Sequence, residues 1–181
     1  MNPPKLRTAT PLDADTIARL QIENWRDAYR GFLPDWYLDG AIEEERRQLW
    51  KSRLSGIAHE RQHVVIAETS GNAAGFTCVL LDKEPQWGAC LDNLHVLPDF
   101  RRLGIGRALF SQAARWVLAA APDLPIHLWV FEANSMARGF YTSLGGALIE
   151  VRQREILLGI VVSSCLYLWE HPDLLLNKLN R

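Results

Sequence analysis

Two stretches of the chain carry residue types at spacings that could do chemistry. The first is HERQH, His59 to His63, which fits the H-E-x-x-H pattern of zinc proteases: two histidines one helical turn apart as ligands, with the glutamate between them as general base. The second is LDNLHVLPDFRRLGIGRALF, Leu91 to Phe110. It reads as an apolar strand ended by Pro98, then Arg101, Arg102, Leu103, Gly104, Ile105, Gly106 and Arg107, then an amphipathic helix. Glycines at a strand-to-helix turn let a ligand approach the backbone closely. The first turn of a helix has free N–H groups and a partial positive charge, so an anionic phosphate fits there. Arg101, Arg102 and Arg107 would add charge-assisted contacts. Taken alone, the two glycines fit a tight turn with solvated arginines equally well. No Gly-Lys-Ser/Thr follows, so this is not a P-loop. Leu109 stands where a dinucleotide-binding loop has its third glycine, and no ribose-binding acid lies about 20 residues on.

The elements around these stretches decide between them. Gly56 weakens the helix before HERQH, and His63 leads straight into the β-branched VVIAE. The two histidines therefore straddle a helix-to-strand junction, where helical spacing has little meaning. LRTAT reads as a strand, and PLDADTIARLQIENWRDAYRG as a helix opened by Thr10 or Asp13 and stopped at Gly31. FLPDWYLDG reads as an aromatic loop and AIEEERRQLWKSRLSGIAHE as a second helix with acids early. The hairpin HVVIAET–SGN–AAGFTCVLL and the strand WGACLDNLHVL follow. After the glycine turn come the helix GRALFSQAARWVLAAA, the strand IHLWVFE, the helix NSMARGFYTSLG and the strands GALIEVRQREI and GIVVSSCLYLWE. The order is strand, two helices, three strands, helix, strand, helix, two strands: one mixed α/β domain over residues 1–181.

Composition narrows the partners. The chain has 181 residues, 48 % hydrophobic and 23 % charged, enough apolar material for a core without a staple. A formal net charge of −1, from 20 basic and 21 acidic residues, argues against nucleic acid as an obligatory partner. Cys78, Cys90 and Cys165 are odd in number, far apart and not in C-x-x-C, which suits a reducing cytoplasm. There is no secretory signal pattern, and the longest apolar run, Ile156 to Trp169, is too short and interrupted to span a membrane.

Arg101-Arg102-Leu103-Gly104-Ile105-Gly106 resembles the pyrophosphate loop of the GCN5-related N-acetyltransferases, the GNAT family, whose pattern is Gln/Arg-x-x-Gly-x-Gly/Ala. NSMARGFYTSLGG, Asn134 to Gly146, is similar to the family's N-x-x-A-x-x-F-Y-x-x-x-G-F and departs only at Gly146, where Phe is usual. The element order agrees over nearly the whole chain. The resemblance implies a mixed, twisted sheet of about seven strands flanked by about four helices. Two neighbouring parallel strands, by position Leu91 to Leu97 and Ile126 to Phe131, would splay apart to admit the pantetheine arm of acetyl-CoA. Backbone groups of Leu94, His95 and Val96 would pair with its amides, and an N–H near Val96 would polarise the thioester carbonyl. The loop from Arg101 to Arg107 would hold the pyrophosphate.

The resemblance also implies an acetyl group moved from acetyl-CoA, as co-substrate and without a metal, to an amine of a small molecule or peptide. Asn134 matches a residue that contacts the CoA arm and is placed as a helix N-cap as well. Tyr141 matches the family tyrosine near the CoA sulfur and would protonate the departing thiolate. An alkyl amine is mostly protonated at neutral pH, so its proton must be removed before attack. Asp92 is the base indicated, one turn of alternation from Cys90, where the family commonly has Glu. Strand alternation puts Cys90, Asp92 and Leu94 on one face and Leu91, Asn93 and His95 on the other, which leaves the His95 side chain a packing role. A pairing of Asp92 with a nearby arginine is the competing structural reading. Trp25 and Tyr29, with Phe32, Trp36 and Tyr37, would wall the acceptor site, and Trp87 is a further candidate. The apolar C-terminal strand and the tail HPDLLLNKLNR offer a surface to a homodimer partner. A non-catalytic acetyl-CoA sensor and a zinc hydrolase built on HERQH are the rival readings.

Overall fold

The computed structural model describes residues 3–55, 61–157 and 159–179. The chain opens with strand β1 (Lys5–Thr8) and helix α1 (Ala14–Tyr29). Asp13 fixes that entry: its carboxylate accepts from the Thr10 N–H at 2.8 Å and hydroxyl at 2.9 Å, and from both terminal nitrogens of Arg7. Gly31, at φ 84°, turns the chain out of α1. The aromatic stretch that follows is not the open loop its sequence suggests. Tyr37–Ala41 form a π-helical turn that runs into α2 (Ile42–Ser55), because Tyr37 and Leu38 are drawn into the core between the two helices.

Strands β2 (Gln62–Thr69), β3 (Asn72–Leu80) and β4 (Ala89–Val96) then lead to α3 (Ile105–Ala120), β5 (Ile126–Phe131), α4 (Ser135–Ser143), β6 (Ala147–Leu157), β7 (Ile160–Trp169) and α5 (Pro172–Leu179). The seven strands form one mixed sheet in the order β1-β2-β3-β4-β5-β7-β6. The element order is the one expected, with five α-helices among the described residues in place of about four. The extra helix is the apolar tail. It lies on α3 of its own chain and buries Leu175 and Leu179, so its apolar face is already covered.

Each sheet face has its own core. Ile17, Leu20, Ile42, Trp50 and Phe76 pack between the sheet and α1 and α2. Phe110, Val117, Tyr167, Trp169 and Leu175 pack on the opposite face, under α3, α4 and α5. At about 1.5–3 kcal/mol for each large apolar side chain buried, these two layers dominate the stability. The Gly146 departure has its cause here. A Cβ at that position would sit 2.6 Å from the Trp169 ring, which occupies the space a phenylalanine would need.

The sheet is interrupted at one seam. β4 and β5 run parallel but pair only at Ala89 with Ile126 and Cys90 with His127. Beyond Cys90 the two strands have no pairing, and a gap opens through the sheet.

Candidate active site

The gap belongs to a cleft of about 770 Å³ that passes from the α1–α2 face to the α3–α4 face. The backbone of β4 supplies one wall. Leu97 N–H bonds the Ala74 carbonyl on β3 at 2.9 Å. In an antiparallel ladder, alternate residues turn their polar groups the other way, so those of Val96 and Leu94 face the gap. The Val96 carbonyl is taken by Arg101 Nε at 3.1 Å, which leaves its N–H. By the same alternation the backbone of His95 pairs with Phe76 on β3, so of the three its main-chain groups alone are turned away from the gap.

The glycine loop closes the α3 end of the cleft. Arg102 at φ 63° and Gly104 at φ 78° bend the chain so that the helix starts abruptly at Ile105. Ala108 N–H to the Gly104 carbonyl, 3.0 Å, is the first bond that closes into the helix. Among the described residues, the N–H groups from Arg102 to Arg107 have no acceptor within the chain. A Cβ at Gly106 would approach Phe140 at 3.8 Å, so the loop lies against α4. The three arginines divide. Arg101 is committed to α1, with Asp27 at 2.6 Å and Asn24 at 3.3 Å. Arg107 donates to the Lys178 carbonyl of α5. Arg102 is exposed and has no side-chain partner among the described residues. Free amides, a left-handed glycine and one uncommitted guanidinium fit a pyrophosphate, and the unpaired β4 edge fits an amide-bearing arm.

Asn134 caps α4, its Oδ1 accepting from the Ala137 N–H at 3.1 Å. Its side chain also lies against the Tyr29 hydroxyl, an interaction that opposes the upward push of burial on that phenol's pKa. Tyr141, 8 % exposed, lines the cleft among Phe140, Phe110 and Trp169. Burial, with Tyr29 nearby, drives its pKa far above the ordinary phenol value, so it holds its proton at neutral pH.

On the α1–α2 side the strict alternation expected for β4 fails. Cys78 pairs with Asn93 and Val79 with Leu91, so Asp92 is the extra residue of a β-bulge. Cys90 and Asp92 share a face, but the phase then flips. Asn93 and His95 join Asp92 on the α1–α2 side, and Leu94 joins Leu91 on the other. His95 is therefore in the cleft, on the side opposite to that expected for it. Its ring lies 5.3 Å from Phe76, and burial depresses its pKa to about 4, which makes it neutral. A buried chain pins the bulge: Trp50 Nε1 donates to Gln21 at 2.7 Å, Gln21 Nε2 to Asn93 at 2.9 Å, and Asn93 Nδ2 to Asp92 at 2.7 Å.

Asp92 is not a free carboxylate. Arg53 Nη1 donates to it at 2.6 Å, and Lys83 Nζ bonds its other oxygen. Burial alone would raise its pKa, but the two cations hold it below the ordinary carboxylate value. Trp25 and Tyr29 do line the cleft, 5.3 Å apart and edge to face, with Phe131 completing the wall. Phe32 and Trp36 are exposed and Tyr37 is in the core. Trp87 is not part of the lining; Trp129 is. Sequence reasoning also missed Arg46, Arg53, Lys83 and Arg154, which line the same cleft. The alternation of Arg152 and Arg154 along β6 was the available signal.

HERQH is only partly described, since His59 and Glu60 lie outside the described residues. His63 is in β2, its ring stacked on Trp116 at 5.1 Å. Among the described residues no group of three His, Cys, Asp or Glu side chains is placed to hold a metal. No described helix is long and apolar enough to cross a membrane.

Comparison with known proteins gives a consistent set of relatives. Residues 22–146 match the model of the acetyltransferase (GNAT) family. A probable N-acetyltransferase of Mycobacterium tuberculosis is 30 % identical over 137 residues, 76 % of each chain. Among solved structures, the PaiA N-acetyltransferase of Thermoplasma acidophilum, in complex with coenzyme A, superposes with a TM-score of 0.73 at 18 % identity, covering 90 % of this chain and 98 % of its own. A Salmonella typhimurium acetyltransferase with acetyl-CoA gives 0.66 at 13 % identity, covering 93 % and 94 %.

Proposed function

The chain belongs to the GNAT acetyltransferase family, and from that premise we propose that it transfers the acetyl group of acetyl-CoA to a primary amine by direct attack. The observation that carries the reading is the coincidence of the unpaired β4–β5 seam with the free amides of the Arg102–Arg107 turn in one cleft. Leu94 and Val96 align the arm of the co-substrate, and the Val96 N–H takes up charge as it develops on the carbonyl oxygen. The amine nitrogen forms the new C–N bond as the C–S bond breaks. The proton on the departing sulfur comes from the Tyr141 hydroxyl, kept protonated by its burial, and Tyr141 takes a proton back from solvent as CoA leaves.

The amine must lose a proton on the way. Asp92 points into the cleft, but a carboxylate held below its ordinary pKa is a weak proton acceptor for an ammonium near pKa 10. A water between the amine and Asp92 carries the proton out, and Asp92 orients that water and the Arg53 and Lys83 side chains. This replaces direct proton abstraction by Asp92. The test is a thermal-shift measurement with acetyl-CoA, followed by free-thiol release with a panel of amines. Acetyl-CoA should raise Tm, and at least one amine should accelerate thiol release. A Tm rise with no responsive amine would point to a sensor and defeat the transfer reading.

A further inference from the structure

The acceptor side of the cleft holds more positive charge than its acids neutralise. Arg46 and Arg53 reach it from α2, Lys83 from the β3–β4 connection and Arg154 from β6, against Asp92 and Glu155 in the same lining. Asp92 is one carboxylate shared by Arg53 and Lys83. Glu155 is turned to the β6–β7 turn, where it accepts from the Gly159 N–H at 2.8 Å. Arg154 has a long contact to Glu84, 3.4 Å, and Glu84 is divided further between Arg152 at 3.3 Å and the Trp129 indole at 3.0 Å. Arg46 pairs with Glu45, yet its Nε is buried without a partner. The chain as a whole carries a charge of −1, so this local excess is a matter of placement. Lys83 and Glu84 are neighbours in the chain, and Lys83 reaches Asp92 while Glu84 reaches Arg154, which brings Arg154 to the same part of β4.

Cations partly withdrawn from water without a full counter-charge favour an incoming anion. Resting on the transferase reading above, we propose that the acceptor is a small amine that also bears a carboxylate, of the amino-acid class. Its carboxylate sits among Lys83, Arg53 and Arg154. Its amine points along Asp92 toward the Leu94–Val96 edge, with Trp25 and Tyr29 bounding the remainder. A polyamine brings further positive charge into the same space and is rejected by repulsion.

The test compares free amino acids, the corresponding amino-acid amides and spermidine as acceptors, read by free-thiol release at fixed acetyl-CoA. An amide has a less basic amine and supplies more free base at a given pH, so without charge recognition it would react faster. A kcat/KM at least tenfold higher for the acids supports the proposal. Lys83→Gln should lower the acid-to-amide ratio of kcat/KM about tenfold, since any effect passed through Asp92 falls on both acceptors alike, with the acetyl-CoA thermal shift retained as a check on folding. Arg154→Gln, at the cleft rim, supplies the same comparison should Lys83→Gln fail to fold. Amides or spermidine matching the acids would overturn the acceptor class while leaving the transferase reading intact. No response to any amine, with the acetyl-CoA shift present, would overturn both.

Discussion

Across the β4–β5 seam, the α3–α4 side of the cleft offers mainly backbone: unbonded amides of the Arg102–Arg107 turn and the open edge at Leu94 and Val96. The α1–α2 side offers side chains, with Arg46, Arg53, Lys83, Asp92, His95 and Arg154 arriving from four separate segments. Backbone recognition needs only a conformation, so the donor side tolerates many sequences around two glycines. Side-chain recognition needs particular residues at particular places, and those are what the α1–α2 side supplies. The two sides also differ in what a substitution does. A change on the donor side should act on affinity for the co-substrate, and a change on the acceptor side on folding and acceptor choice.

Asp92→Asn is the largest expected effect and the strongest attempt to break this division. It leaves Arg53 and Lys83, whose side chains are 21 % and 41 % exposed, facing each other without their common anion. Removing one partner of a buried ion pair costs about 3 kcal/mol, and water at the exposed Lys83 trims this to about 2.5 kcal/mol, a fall in Tm of about 8 °C for a chain of this length. Calorimetry with and without acetyl-CoA reads both sides at once. The lower Tm should still rise on adding acetyl-CoA; loss of that increment would mean that the two sides are one unit. Tyr141→Phe comes next and works in the opposite sense. The aromatic packing is kept, so Tm should hold, while kcat falls about 100-fold with the dissociation constant for acetyl-CoA unchanged.

Acid separates the sides by a third route. The Arg7 hydrogen bonds hold the Asp13 carboxyl, at the start of the helix that bears Trp25 and Tyr29, down to about 2. A pKa depressed in the folded state adds stability that is fully present above the ordinary carboxylate value and is lost as pH falls from about 4 to about 2. The amount is about 2 kcal/mol. Denaturant titrations at pH 7, 4 and 2 should show that loss in the parent chain and a flatter profile in Asp13→Asn. An unchanged slope in the variant would assign the acid sensitivity to other carboxylates.

How far the sequence could be read follows the same division. The element order, the Arg101–Arg107 turn and the Asn134–Tyr141 helix were legible, because each is a local pattern in which spacing fixes the geometry. The acceptor side was not. The bulge at Asp92 inserts one residue into the ladder, and no local pattern in LDNLHV announces it. A period-two reading therefore placed His95 on the wrong face. Arg53, Lys83 and Arg154 meet only because β4 lies between α2 and β6 in space, a proximity set by sheet order. Arg101 shows the same limit: its charge suits a phosphate, and the partner it has here, Asp27, lies on a distant helix that no local pattern announces.

The smallest effect gives the sharpest test of backbone recognition. Arg102 holds φ 63°, a left-handed conformation that costs a residue with a Cβ about 1 kcal/mol, and its side chain has no partner among the described residues. A strained residue with an uncommitted guanidinium is therefore the one on which to test the proposed pyrophosphate contact. Arg102→Gly removes the strain and the charge together. Part of the gain is offset by the greater freedom of glycine in the unfolded chain, so Tm should stay level or rise by a degree or two. Affinity for CoA should fall about fivefold in low salt, the loss of one exposed charge-assisted contact, and the difference from the parent should shrink as salt screens it. Titration calorimetry with CoA at two ionic strengths reads both quantities. If affinity is unchanged, the free amides of the turn hold the pyrophosphate alone; if it falls equally at both ionic strengths, Arg102 acts by shaping the turn and not by its charge.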